Sequence, residues 1–283
     1  MKDQSLNKPL GQVLTNGSVH VFLASVALTC LFPLFWMVRS SVMTQQTIFV
    51  DKSFIPKVLD FGNYAAAWTR GEFGVFFLNS LFYTASVVIL IVIVSSLAAY
   101  AFSRLQFPGK NVFFYMFVLA LMIPLPGSFV PLVVLMNKLG LANTRVGYIL
   151  CMTNVGLSMS ILLLKTFFDK MPADLEDAAR IDGCGRLQIW WNVALPLARP
   201  AIAVIVIFNA LNVWNEYILA QLLLNEKSLM PLQRGLMVFA GSQSINYPVL
   251  MAGLTISVIP IIVIYLFMQK HIIKGLSSGA VVG

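Results

Sequence analysis

Polarity divides the chain into long apolar runs separated by shorter polar ones. Six runs reach the roughly 20 residues a helix needs to cross a hydrocarbon core: Val19 to Val38, Phe76 to Phe102, Asn111 to Leu135, Val146 to Leu164, Ala201 to Leu224 and Val249 to Met268. None shows the short alternation of a membrane barrel, and a backbone in lipid must satisfy its own hydrogen bonds, so each run reads as helix. The pattern predicts an all-α polytopic membrane protein with six transmembrane helices. Residues 1–18 precede the first span, 19–268 hold the spans and 269–283 form a tail.

Composition strengthens this reading. Charged residues are 11% of the chain, against roughly 25% in soluble domains, and mean hydropathy is +0.85. Among the charged residues only Glu216 falls inside a predicted span. An even number of spans puts both termini on one side, and a small excess of Lys and Arg there favours the cytoplasm. The first span follows Lys2 and Lys8 but ends in Met37-Val38-Arg39 without a small-residue cleavage pattern, so it is expected to stay as an anchor. The net charge of +8 reads as headgroup contact and topology. No basic run with interleaved aromatics stands outside the spans, so no nucleic-acid partner is implied. Cys30, Cys151 and Cys184 are scattered and offer neither a disulfide framework nor metal spacing.

The longest structured polar interruption lies within residues 165–200. Pro172 suits the first turn of a helix, and Asp174, Glu176 and Asp177 favour its positive end. Arg180 comes late and Gly183 can take the left-handed conformation that stops the helix. Leu175, Ala178 and Ala179 fall on one predicted face, where the two alanines would let another backbone approach. Beyond it, Leu187, Ile189, Trp190 and Trp191 suit a membrane interface, and Leu195-Pro196 with Pro200 lead into the fifth span.

At these residues the chain resembles the permease subunits of bacterial ATP-binding cassette importers. That family carries Glu-Ala-Ala, three residues, Gly, nine residues, Ile, one residue, Leu-Pro. Asp177-Ala178-Ala179, Gly183, Val193 and Leu195-Pro196 stand at that spacing, with Asp for Glu and Val for Ile. Further family-like strings are Asn79-Ser80, LAAYAFSRLQFPGK from Leu97, MIP at Met122, LGLANT from Leu139, RIDG at Arg180, Trp214-Asn215-Glu216-Tyr217 and the closing GLSSGAVVG. They are closest to the maltose-permease-like, carbohydrate-uptake branch. In the tail, Val282 stands where the family often has Lys.

The resemblance implies the type I importer permease fold in the bacterial cytoplasmic membrane. It also implies several partners: a second homologous permease, two ATPase subunits, an extracytoplasmic solute-binding protein, a carbohydrate and membrane lipid. The loop would be a coupling helix docked in an ATPase cleft, with Glu176, Asp177, Ala178, Ala179, Arg180, Asp182, Gly183, Leu195 and Pro196 as coupling residues. The family's Glu pairs with its ATPase; Asp177 is one methylene shorter, and the neighbouring Glu176 could take its place. ATP and Mg would belong to the partner, and this chain would bind no cofactor and be no enzyme. Its own sequence agrees, because Gly109-Lys110 lacks both the earlier glycine and the hydroxyl residue of a phosphate-binding loop.

In the fifth run, Asn209, Asn212 and Glu216 stand at i, i+3 and i+7, within about 60° of one another on a helix. Intramembrane charge costs at least about 2.5 kcal/mol and usually faces a bundle interior or a water-filled path. Amides and a carboxylate can also hydrogen-bond sugar hydroxyls. The stripe is therefore a candidate substrate path, with bonding to neighbouring helices as the structural alternative. Pro124, Pro126 and Pro131 should break or kink the third run. A rival functional class is a self-sufficient ion-coupled transporter or channel with Glu216 as its coupling charge. A single intramembrane carboxylate and the lack of an inverted repeat argue against it.

Overall fold

The computed structural model describes residues 10–69, 72–123, 125–241 and 245–280, without the side chains of 10–17, 125–126 and 267–280. Pro124, the side chain of Pro126, that of His271 and the closing residues around Val282 lie outside this description. The described chain is helical, with no strand. Its helices in order are α1 (Leu10–Ser41), α2 (Gly62–Thr69), α3 (Phe73–Arg104), α4 (Lys110–Ala120), α5 (Leu125–Lys138), α6 (Arg145–Asp169) and α7 (Asp174–Ile181). There follow α8 (Arg186–Ile189), a π-helical turn (Trp190–Ala194), α9 (Leu195–Leu197), α10 (Arg199–Asn215), α11 (Ile218–Leu223), α12 (Leu232–Ala240) and α13 (Tyr247–Ala280).

Four stretches are long and apolar enough to cross a membrane: Ser18–Ser41, Phe73–Arg104, Arg145–Asp169 and Tyr247–Leu266. A fifth arises if Arg186–Leu197 and Arg199–Asn215, bent by 78°, are taken together. Two of the six predicted runs are not continuous helices. The run from Asn111 to Leu135 is divided between α4 and α5, of 11 and 14 residues. At 1.5 Å per residue these are about 17 and 21 Å long, short of a core of about 30 Å. The break comes where the prolines cluster, after tight turns that bond Leu121, Met122 and Ile123 three residues back. The run from Ala201 to Leu224 is interrupted at Glu216 and Tyr217.

The chain divides into two compact units, Met1–Gly71 with Gln243–Ile256, and Glu72–Ser242 with Ser257–Gly283. In the first, α1 is apolar and exposed from Ser18 to Trp36, as suits a helix facing lipid. Its end is fixed by Arg39, which donates to the carbonyls of Ser53 and Asp51, both at 2.7 Å. Asn63 of α2 donates to the carbonyls of Ser41, Met43 and Asp60 and folds the following loop back.

The second unit is built on α3 and α6, with α10 packed beside them. Tyr83, Val87, Ile91 and Ala99 of α3 share a core with Tyr148, Met152 and Leu164 of α6 and Ile205 and Val213 of α10. In lipid such packing depends on close approach, which explains the small residues along α6. The Asn79-Ser80 string ties down a distant loop: Asn79 donates to the carbonyls of Ser228 and Met230 and Ser80 accepts from the Leu232 N–H. In LGLANT, Asn143 adopts φ 54° and accepts the Asn225 and Glu226 N–H groups, while Thr144 caps α6 by accepting the Gly147 N–H at 3.0 Å.

Candidate functional site

The polar loop folds as expected into a short helix, α7, whose first turn carries Asp174, Glu176 and Asp177. It ends with Gly183 at φ +83°, where the Cys184 N–H bonds the Ala179 carbonyl and the Gly183 N–H that of Arg180. A Cβ at Gly183 would meet nothing within 4 Å. Backbone conformation, not space, calls for glycine here.

The helix does not present the predicted face. Ala179 is 8% exposed and packs into the core, whereas Ala178 next to it faces outward with Leu175 and Ile181, the last 87% exposed. The two alanines therefore cannot serve one docking surface. Glu176 is also turned inward at 3% exposure, while Asp177, Asp182 and Gly183 are exposed. As Glu176 is already held inside, it is not free to stand in for Asp177 toward another protein.

What holds Glu176 is Arg104, at the end of α3. The Arg104 Nε lies 3.1 Å from Glu176 Oε1, and its Nη2 donates to the Phe168 carbonyl at 2.6 Å and to that of Met171. Arg180 approaches Glu176 Oε2 at 3.5 Å and bonds Asp177 Oδ1 at 3.0 Å. One guanidinium thus joins the ends of α3 and α6 to α7. Removing one member of such a buried pair leaves an uncompensated charge and costs about 3–5 kcal/mol. Leu195 and Pro196 sit apart from this cluster, in the bend before α10, Leu195 partly buried and Pro196 exposed.

The predicted polar stripe is also divided. Asn209 and Asn212 line a cavity of about 350 Å³ together with Gly156, Met159, Ser160 and Phe208. Asn209 donates to Ser160 Oγ at 3.1 Å and to the Ile205 carbonyl at 2.9 Å, and Ser160 in turn donates to the Gly156 carbonyl. A Cβ at Gly156 would stand 2.0 Å from Asn209 Oδ1, so glycine lets the amide sit against α6. Glu216 falls outside this stripe because α10 ends at Asn215 and Glu216 is extended at ψ 131°. Its carboxylate accepts the Leu219 and Ala220 N–H groups at 2.5 and 3.0 Å and the Tyr148 hydroxyl at 3.1 Å. It closes the positive end of α11, which stabilises a carboxylate at this depth.

Arg104, Tyr148, Gly156 and Ser160 are members of these clusters that the sequence reading passed over. Arg104 looks like any basic residue ending a span. The i, i+4 spacing of Gly156 and Ser160 was a legible sign of close helix approach.

Long apolar helices, a loop helix tied to two of them by buried charge, and a cavity lined by two asparagines define a polytopic helical membrane protein. The family model for the binding-protein-dependent transport system inner membrane component matches residues 91–278, and the chain belongs to that family. It is 33% identical to the diacetylchitobiose uptake system permease protein NgcG of Streptomyces coelicolor, over 92% of this chain and 87% of that protein. It is 30% identical to the melibiose/raffinose/stachyose import permease protein MelC of Bacillus subtilis, over 94% and 96% of the two chains. Among solved structures, it is similar to a chain of a bacterial ABC transporter that imports the acidic polysaccharide alginate. That likeness has a TM-score of 0.84 at 27% identity and covers 94% of this chain and 99% of that one.

Proposed function

We propose that this permease subunit passes a carbohydrate across the cytoplasmic membrane and is driven by separate ATPase subunits, one of which docks on α7. A second permease completes the path, a solute-binding protein delivers the cargo, and both termini face the cytoplasm with α7. The observation that carries this reading is the two-faced character of α7. Its inner face is pinned by Glu176 and Ala179, and its outer face offers Leu175, Ala178 and Ile181 with Asp177 at the edge. An element fixed on one side and apolar on the other can transmit a push as a rigid body. The carbohydrate is supported by the oligosaccharide names of the relatives and by the amides on the cavity, whose groups suit hydroxyls.

The test is to place cysteine at Ala178 in native membranes and follow crosslinking. Capture of a nucleotide-hydrolysing subunit, with hydrolysis stimulated by a ligand-loaded binding protein, is the expected result; no such capture removes the assignment. Asn212→Leu should alter uptake and leave assembly intact, and wild-type uptake would take Asn212 off the path. The ion-coupled alternative is disfavoured because Glu216 already accepts three hydrogen bonds. Transport by the chain alone in liposomes under an ion gradient would restore it.

A further inference from the structure

Residues 50–59, which follow α1, form a closed loop whose polar groups turn inward while its apolar side chains turn out. Asp51 accepts the N–H groups of Ser53 and Lys57 at 2.9 and 3.3 Å, and Arg39 donates to the carbonyls of Asp51 and Ser53. The Ser53 hydroxyl lies 2.7 Å from the Ile55 carbonyl, and Pro56 brings no N–H that needs a partner. Around this polar centre Val50, Phe54, Ile55, Val58 and Leu59 are each more than half exposed. So many exposed apolar residues in so short a stretch mark a surface that something covers. Lys52 and Lys57 are exposed on either side of the Phe54-Ile55 tip. The Phe54 ring lies 6.3 Å from that of Phe35, itself exposed on α1. Phe35 belongs to the membrane-length stretch Ser18–Ser41 and stands four residues before Arg39, about 6 Å further into that stretch. Between the two, Trp36 stacks 4.5 Å from the Arg39 guanidinium, an aromatic and a cation of the kind that anchors a span at the membrane interface. The tip therefore reaches past the level of Arg39 to the apolar part of α1.

We propose that residues 50–59 are a membrane-dipping finger that binds the phospholipid surface at the Ser41 end of α1. Phe54 and Ile55 enter the acyl-chain boundary, and Lys52 and Lys57 reach lipid phosphates while their stems lie along the apolar side chains. A lipid surface fits this composition better than a protein partner does. Lysine is depleted in the cores of protein interfaces, whereas two lysines flanking an apolar tip match phosphates above hydrocarbon. The surface is also continuous with the exposed apolar length of α1 from Ser18 to Trp36. Because the polar groups of Asp51 and Ser53 are engaged within the loop, carrying the tip into lipid leaves fewer of them unpaired. The finger sets the depth at which α1 stops, whatever cargo the permease carries and whatever drives it.

The test is photocrosslinking of the full chain in native membranes, with a benzophenone side chain placed at Phe54 and its adducts identified by mass spectrometry. Leu28, exposed within the Ser18–Ser41 stretch, carries the same probe as the reference. Phospholipid adducts at Phe54, comparable in yield to those at Leu28, are the expected result. Lys52→Glu together with Lys57→Glu should lower the Phe54 yield several-fold and leave that at Leu28 unchanged, because each lysine near a lipid surface adds attraction that a carboxylate reverses. Lys52→Arg together with Lys57→Arg should keep it. Absence of a phospholipid adduct at Phe54 beside a normal yield at Leu28 would overturn the finger. Adducts to another polypeptide in place of lipid would overturn it too and reassign the loop to a subunit interface. An undiminished yield in the glutamate pair would overturn the headgroup contact.

Discussion

Arg39 stands in the last turn of α1 and Arg104 in the last turn of α3, each at the negative end of a long apolar helix, where a cation is favoured. Both draw in backbone carbonyls, yet their partners differ in reach. Arg39 bonds the carbonyls of Asp51 and Ser53, 12 and 14 residues away, and stacks 4.5 Å from the Trp36 ring. Arg104 bonds the carbonyls of Phe168 and Met171, 64 and 67 residues away, and pairs with Glu176 beyond them. The first closes a local loop; the second ties the end of α3 to α6 and α7, which follow far along the chain. On the proposed function, a displacement of α7 would reach α3 and α6 through Arg104, whereas the partners of Arg39 among the described residues all lie within residues 36–53.

Breaking each arginine sharpens this contrast. Arg104→Ala should have the largest effect, leaving buried Glu176 with only the exposed Arg180 at 3.5 Å and lowering uptake by about tenfold or more. The diagnostic readout is uptake per ATP hydrolysed, which should fall, and the exchange Arg104→Glu with Glu176→Arg should restore part of it. A normal ratio in Arg104→Ala would make the pair a matter of folding alone. Gly183→Val comes next: a β-branched residue in the left-handed region costs on the order of 1–2 kcal/mol, so a several-fold loss of uptake is expected. Wild-type uptake in that variant would show that the end of α7 need not be fixed. Arg39→Ala leaves the Asp51 and Ser53 carbonyls without their donor and should lower thermal stability by about 1–3 kcal/mol, with uptake per ATP unchanged.

The smallest effect concerns Asp51. Its carboxyl is held down at about 2 by the Ser53 hydroxyl, by the Ser53 and Lys57 N–H groups and, more weakly, by Arg39. The folded value lies below the ordinary 3.8, so this contribution is complete above that pH and is lost as pH falls toward 2. Acid-protease cleavage between Lys52 and Lys57 should therefore increase over that window in the wild type and show little such change in Asp51→Asn. Identical profiles would mean that Asp51 does not order the loop.

Much of this was legible in the chain itself. Apolar runs fix the helical membrane class because length and hydropathy act locally. The ends of α7 follow from acidic residues at its start and Gly183 at its close, and the motif spacing points to the family on its own. The contents of the runs were less legible. Asn209, Asn212 and Glu216 share a face only while the helix continues, and the Glu216 carboxylate instead caps the next helix and accepts from Tyr148 on α6.

The sequence by itself determined that this is an all-helical membrane protein with a short, stoppered helix in its polar loop, since those features depend on neighbours in the chain. Only the tertiary structure decided that Glu176 and Ala179 turn inward while Ala178 and Ile181 turn out. Burial of a side chain is set by what lies across from it, and here Arg104 comes from a helix some 70 residues away in sequence, a separation that no local periodicity encodes.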